Sequence, residues 1–509
     1  MSNSDSKDTT QNSDYDLSKP LESTVGLRQG LTSYGDAHFS LFLRKVFIKA
    51  LGYSEDALSR PFVGIVNAYS SFNPCHANIP QLIDAAKRGV QLNGGLAIDF
   101  PTISLHESFS SPTGMFLRNL MSMDTGEMIR AQPVDSVILI GGCDKTTPAQ
   151  LMGAISANKP AIHLVTGPMM PGNHRGTRVG ACTDCRNNWA KFRAGTVDIE
   201  EISGINDELA PTASPPLRAT APAVSAARLR IAEETGARAV ALARTQLRPQ
   251  ALLSRESFLK PSGSGYMTDF HDAGGMPALL HALAPLLHLS ALTTSGQTLG
   301  QLLAASPHLP LHPTTGPLAR TIRPLATPLR PRSSLVVLTG NLAPHGAVLK
   351  ASAAKLAHHT GPALVFAGAA DLVARIDDPA LPVTRDSVLV LRGIGPAGHP
   401  GMPEAGMVPI PQKLAARGVE DPLRVSDGRM SGTAGGTVVL HVSPEAARPD
   451  SALAVVRDGD RVTCDVERRI LRLEVADEEI RARLEERRRE MEGRRVRERG
   501  PRRERALIS

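Results

Sequence analysis

With 509 residues, 41% of them hydrophobic and 21% charged, the chain has the composition of a globular protein with room for two domains. No apolar run approaches the roughly 20 residues that a membrane span needs, and five cysteines at 75, 143, 182, 185 and 464 do not make a disulfide framework. The net charge of +7 is not a nucleic-acid footprint, because from Arg481 onward 12 Arg and 6 Glu give +6 in a tail without aromatic side chains.

Residues 1–25 are polar and acidic, unlike a secretory signal or an Arg-rich transit peptide, and read as a disordered leader on a cytoplasmic protein. HFSLFLRKVFIKALGY then reads as an amphipathic helix, PFVGIVNAYSSFNPCH as a strand entering a loop with Cys75 and His76, and IPQLIDAAKRGVQLNGG as a helix. LAIDFPTISLHES reads as a strand ending at His106 and Glu107, and GMFLRNLMSMDTGEMIRA as a helix. In DSVILIGGCDKTTPA the β-branched run Val137 to Ile140 stops at two glycines and presents Cys143, Asp144 and Lys145, with a helix expected in MGAISANKPAI.

Strands alternating with helices imply an α/β domain with a parallel sheet covered on both faces, and such sheets place ligands at the carboxyl ends of their strands. A thiol there suits iron or an iron-sulfur cluster, and a carboxylate suits magnesium. Taken singly, Cys75 is equally a small buried hydrophobe and Glu107 a capping carboxylate.

The Gly/Pro-dense PAIHLVTGPMMPGNHRGTRVGACTDCRNNW reads as a shaped loop, and its Cys182 and Cys185 form a CxxC that by itself is a weak metal or redox signal. TASPPLRATAPAV is a connector, LRIAEETGARAVALA a helix followed by a strand, and KPSGSGYMTDFHDAGGMPALLHALAPLL a glycine loop before a helix. Beyond a low-complexity stretch from Leu279 to Pro331 come short β-type runs between Gly/Pro turns. There GPAGHPGMPE exposes Glu404, and SDGRMSGTAGG exposes Asp427, Arg429 and Ser431. A hydrolase elbow is absent, and a turn serine is an ordinary alternative for Ser431. The expected division is an N-terminal domain over 26–290, a β-rich domain over 291–478 and a charged tail over 479–509.

Together, NPCH, PTISLHES, CDKTTPA, GHPGMPE and SDGRMSGTAGGTVVLHVSPEA resemble the dihydroxy-acid and 6-phosphogluconate dehydratase family over about residues 26–478. PTISLHESF, KPSGSGYMTDFH and RMSGTAGGTVVLHVSPEAA look more like its sugar-acid (pentonate) branch. The resemblance implies a three-layer α/β/α domain with a β-rich, barrel-like, swivelling second domain, and a homo-oligomer, dimer or tetramer. It also implies a hydro-lyase taking a small 2,3-dihydroxy or sugar acid to the 2-keto-3-deoxy acid. Cys75 and Cys143 match ligands of an iron-sulfur cluster, [2Fe–2S] rather than [4Fe–4S]. Glu107, Asp144, Glu404 and a carbamylated Lys145 match a magnesium shell, and Ser431 matches the base. Where the family carries its third cluster cysteine this chain reads TASPPLRATAPAV, with Pro216 at that place, and a GGSTN-type motif is missing between SRESF and LKPSG. Alternatives are therefore a dihydroxy-acid dehydratase of branched-chain amino-acid synthesis, an inactive paralogue, or an incomplete gene model, with Cys182 or Cys185 as substitute ligands.

Overall fold

The computed structural model describes residues 26–210, 229–240, 263–306, 321–327 and 334–498, apart from 32–34, 112, 168, 182, 294 and 433, together with 16–18 and 21. The connector with Pro216, the GGSTN-type gap and Cys182 lie outside the described residues.

The fold is mixed α/β, combining a parallel sheet with a closed barrel. In the first half, helix α1 (Ala37–Ala50) leads to strand β1 (Phe62–Asn67), helix α2 (Ile79–Leu92), strand β2 (Leu96–Pro101), helix α3 (Gly114–Ala131), strand β3 (Ser136–Gly141), helix α4 (Cys143–Ala157) and strand β4 (Ala161–Val165). The strands are parallel in the order β2-β1-β3-β4. Every residue of β1 and β3 is buried, as the unbroken runs FVGIVN and SVILIG require of central strands apolar on both faces. Val137 and Leu139 join one core with Leu41, Ile48 and Ile129, whereas Ile138 and Ile140 join another with Ile79, Leu82, Ala232 and Val240. The pleat thus sends alternate side chains of one strand to opposite cores.

Local boundaries differ from expectation in three places. The strand read through Glu107 ends at Pro101, because Thr102 to Glu107 cross the strand ends as irregular chain. The helix after β3 begins at Cys143 itself, so Asp144 and Lys145 sit in its first turn. Residues 229–240 are helical where a strand was expected to begin. Glycine loop and CxxC region resolve into a hairpin, β5 (Gly172–His174) with β6 (Thr177–Val179), then helices α5 (Thr183–Arg193) and α6 (Ile199–Leu209).

Further along, strands β7 (Leu335–Gly340), β8 (Ala343–Lys350), β9 (His358–Phe366), β10 (Val388–Leu391), β11 (Arg424–Ser426), β12 (Val438–Ser443), β13 (Arg461–Asp465) and β14 (Ile470–Leu473) close in the order β10-β11-β12-β8-β7-β14-β13-β9. Closure leaves no sheet edge and fills the interior with Leu349, Val390, Val425, Val439, Val462 and Leu471. The charged helix Asp477–Glu498 starts on this wall, with Ile480 in the barrel core and Arg483 paired to Asp460 at 2.6 Å. Among the described residues no helix is long and apolar enough to cross a membrane.

Candidate active site

The register sets Asn67, the last residue of β1, beside Pro101 of β2 and Ile140 of β3, so the loops after all three strands leave one edge. The β1 loop carries Cys75, the β2 loop Glu107, and the first turn of α4 carries Cys143, Asp144 and Lys145. Facing them are two barrel loops, also after the carboxyl ends of parallel strands: that after β10 brings Glu404, and that after β11 brings Arg429 and Ser431. Asp427, 1% exposed, ties these loops together by accepting from Gly393 N at 3.0 Å, Ile394 N at 3.1 Å and Ala446 N at 2.9 Å. Gly406 N also donates to Arg429 O at 2.8 Å.

Across the gap the charges interlock. Lys145 Nζ lies 2.7 Å from Asp144 Oδ2, 3.1 Å from Glu404 Oε1 and 3.5 Å from Glu107 Oε2. Arg429 pairs with Glu404, reaches Glu107 Oε1 at 3.2 Å and donates from Nε to Met402 O at 2.6 Å. Thr113 caps α3 and donates to Gly401 O at 2.6 Å, adding a neutral link beside the ionic ones. The Lys145 side chain is only 5% exposed. Burial pulls its amine down, but Asp144, Glu404 and Glu107 outweigh that and hold it above the ordinary lysine value. Burial likewise pushes Asp144 up, and Lys145 outweighs it to leave the carboxyl below its usual range.

Beside this cluster the thiols of Cys75 and Cys143 lie near each other, and Cys143 Sγ donates to Asp144 Oδ1 at 3.4 Å. The neighbouring Cys143 thiol brings Cys75 down to about 7, while the neighbouring Cys75 pushes Cys143 up. Cys143 is held at φ +72° and Met402 at φ +47°, left-handed conformations that cost a non-glycine residue of order 1–3 kcal/mol and gather at functional sites.

A family model described as Dihydroxy-acid/6-phosphogluconate dehydratase N-terminal matches residues 60–215 and 258–302, and its C-terminal counterpart matches 320–505. The chain belongs to the dihydroxy-acid/6-phosphogluconate dehydratase family. Among its relatives in this dehydratase family, a protein of Rhizobium meliloti (strain 1021) named as dehydratase IlvD1 is 38% identical, over 89% of this chain and 90% of its own. The 6-deoxy-6-sulfo-D-gluconate dehydratase of Pseudomonas putida is 36% identical over 84% of this chain and 85% of its own. The L-arabonate dehydratase of Azospirillum brasilense is 35% identical over 87% of each. Relatives named dihydroxy-acid dehydratase match at 29–30%.

Of the residues expected to act in this dehydratase site, Glu107, Asp144, Lys145 and Glu404 meet within one cluster, and Cys75 and Cys143 meet beside it. Ser431 stands two residues beyond Arg429 on the same loop, half-buried, its carbonyl accepting from Ala434 N at 3.0 Å. The sequence presents Arg429 as an exposed loop residue, yet it is 7% exposed and bridges both regions. An arginine two positions before a candidate base, on a glycine loop opposite acidic groups, was the signal for it. Cys185 packs against Val179, Ile205 and Leu209, and Cys464 is 2% exposed inside the barrel core, where burial raises its thiol to about 12.

Proposed function

We propose that this chain is a hydro-lyase dehydrating a 2,3-dihydroxy sugar acid such as a pentonate to the 2-keto-3-deoxy acid. The observation that carries it is the meeting of Glu107, Asp144 and Lys145 from the parallel sheet with Glu404 and Arg429 from the barrel. Sugar-acid dehydratases at 34–36% identity, against 29–30% for those named dihydroxy-acid dehydratase, favour the sugar-acid substrate class. The N-terminal part is read as a three-layer α/β/α domain over 26–290 and the barrel as a swivelling domain over 291–478.

Carboxylate oxygens suit a magnesium ion, and Glu107 Oε2 is buried without a hydrogen-bond donor, in a cradle so close that a Cβ at Gly114 would come within 2.2 Å of it. Among the described residues no three His, Cys, Asp or Glu groups suffice for a metal alone, because the Lys145 amine stands between the carboxylates. Carbamylation resolves this: CO2 adds to the neutral amine, a proton leaves, and the cation becomes a fourth carboxylate. With that change Glu107, Asp144, Glu404 and Lys145 would hold the ion. For an iron-sulfur cluster of the [2Fe–2S] type, Cys75 and Cys143 supply two thiolates, and among the described residues no third thiol joins them.

Bound magnesium supplies Lewis acidity for a 2-hydroxy carboxylate. The residues do the rest. Arg429 fixes the Glu404 and Glu107 carboxylates, and the two facing loop sets enclose the acid. Ser431 Oγ, ionised, takes the proton from C2, the C3–O bond breaks, the leaving hydroxide takes that proton from Ser431 and departs as water, and the enol tautomerises to the ketone. Cytoplasmic location and at least a dimeric assembly belong to the same reading. The exposed apolar side chains Phe116, Leu120 and Met123 on α3 with Met152 and Ile155 on α4 support the assembly.

That no third thiol joins Cys75 and Cys143 among the described residues favours a second reading, a non-catalytic paralogue. Iron and acid-labile sulfide in protein purified without oxygen separate the two: about two of each per chain is expected of a [2Fe–2S] dehydratase, and none of either points to the paralogue. In the active enzyme Ser431→Ala lowers turnover of aldonic acids by about 100-fold or more with the fold intact, and undiminished turnover would remove Ser431 from the mechanism.

A further inference from the structure

His76 is fully buried and lies between two of the three loops that build the site. Its Nδ1 is 3.2 Å from Ser104 Oγ on the β2 loop, and its Nε2 is 3.1 Å from Gly142 O and 3.2 Å from Gly142 N. Whichever nitrogen carries the proton, the ring bridges Ser104 to the Gly142 peptide. With the proton on Nδ1 the ring donates to Ser104 and accepts from Gly142 N–H. With it on Nε2 it accepts from the serine hydroxyl and donates to the Gly142 carbonyl.

That peptide enters the left-handed Cys143. It has little room elsewhere, since a Cβ on Gly142 would stand 2.0 Å from Thr166 Oγ1, and Thr166 N is bonded to Gly141 O at 3.1 Å. On the other side of the thiol pair, Asn73, 1% exposed, accepts from Cys75 N at 3.0 Å and donates to Leu105 O at 2.6 Å. Both cysteines are therefore set by buried side chains of the NPCH turn, which lock the β1 loop to the β2 loop and to the start of α4.

We propose that His76 is a positioning residue that holds the Gly142–Cys143 turn in its left-handed form and so keeps the Cys143 thiol against Cys75, with Asn73 fixing the Cys75 side. An unconstrained Cys143 would relax toward negative φ, where a side chain costs less, and swing its thiol away. The imidazole spans the gap because its two nitrogens lie on opposite sides of a rigid ring and reach both loops without a flexible stem.

Glutamine at position 76 mimics Nε2 and keeps the bond to Gly142, whereas asparagine mimics Nδ1 and keeps only Ser104. Alkylation of Cys75 and Cys143 by iodoacetamide, read separately by mass spectrometry in the full chain stripped of metal under reductant, reports the pairing. The two rates in native protein set the reference ratio. His76→Asn should raise alkylation of Cys143 relative to Cys75 by roughly tenfold, the scale of one lost buried hydrogen bond, while His76→Gln stays within about threefold of native. An unchanged ratio in His76→Asn, or an equal loss in both variants, overturns the proposal. Should His76→Asn not fold, Ser104→Ala decides: a smaller shift in the same direction is expected, and a native ratio counts against it. The assay reads the thiols without turnover, so its failure is distinct from failure of the dehydratase assignment.

Discussion

In the barrel, Arg424 Nη2 meets Asp421 Oδ1 at 2.6 Å behind a closed wall, the side chains 1% and 5% exposed, and Asp421 also accepts from Thr437 N and Oγ1, each at 2.7 Å. At the end of the parallel sheet, Lys145 is as deeply buried but collects carboxylates from three different segments, one of them across the gap. The first arrangement is contained within one region, with Arg424 Nε left without an acceptor, and braces the start of β11 against the start of β12. The second leaves Glu107 Oε2 without a donor and holds an excess of acidic groups over what each loop alone requires. Burial of charge and an unsatisfied atom are common to both clusters and do not identify a site here; ion pairs drawn from separate regions do.

The comparison is most easily broken at Arg424. Replacing it by alanine leaves Asp421 buried without its cation and should cost about 3–5 kcal/mol in denaturant unfolding. Iron content and thiol reactivity at the sheet edge should be unaffected, and loss of both together with stability would show that the two charge clusters are one system.

Acid should find the parallel sheet before the barrel. His163 on β4 is pulled down to about 4 by burial, with Nε2 3.1 Å from Gln150 Oε1. Between an unfolded value of about 6.5 and that folded value, the unfolded chain binds a proton the folded chain refuses, so stability falls as pH drops across this window and levels off below it. The loss is on the order of 1–3 kcal/mol, and His163→Gln should flatten the slope of unfolding midpoint against pH. A slope unchanged in that variant would place the acid sensitivity elsewhere.

The smallest effect is expected at the neutral link. Thr113→Val removes the cap of α3 and the bond to Gly401 O, costing about 1 kcal/mol by thermal or denaturant unfolding. If Lys145 and Arg429 hold the two regions together, turnover in Thr113→Val should stay near native. A large loss of activity would show that the hydroxyl, rather than the ion pairs, sets the approach of the Glu404 loop.

By itself the sequence determined the parallel sheet, because FVGIVN, LAIDF and SVILIG are short apolar runs separated by helix-length amphipathic segments. It also marked Cys75, Glu107, the Cys143–Lys145 set and Glu404 as residues at or after strand ends, and its motifs carried the family. Closure of the β-rich runs into a barrel was carried by the family resemblance and not by strand periodicity, which is the same in an open sheet and a closed one. The bridging role of Arg429 was not legible: its partners Glu107 and Glu404 lie 322 and 25 residues away. The α4 boundary and the left-handed Cys143 were likewise decided by packing, through His76 and Thr166. Local pattern records which side chains sit at the ends of strands. Which of them touch depends on how two separately folded surfaces close on each other, and no spacing along the chain encodes that.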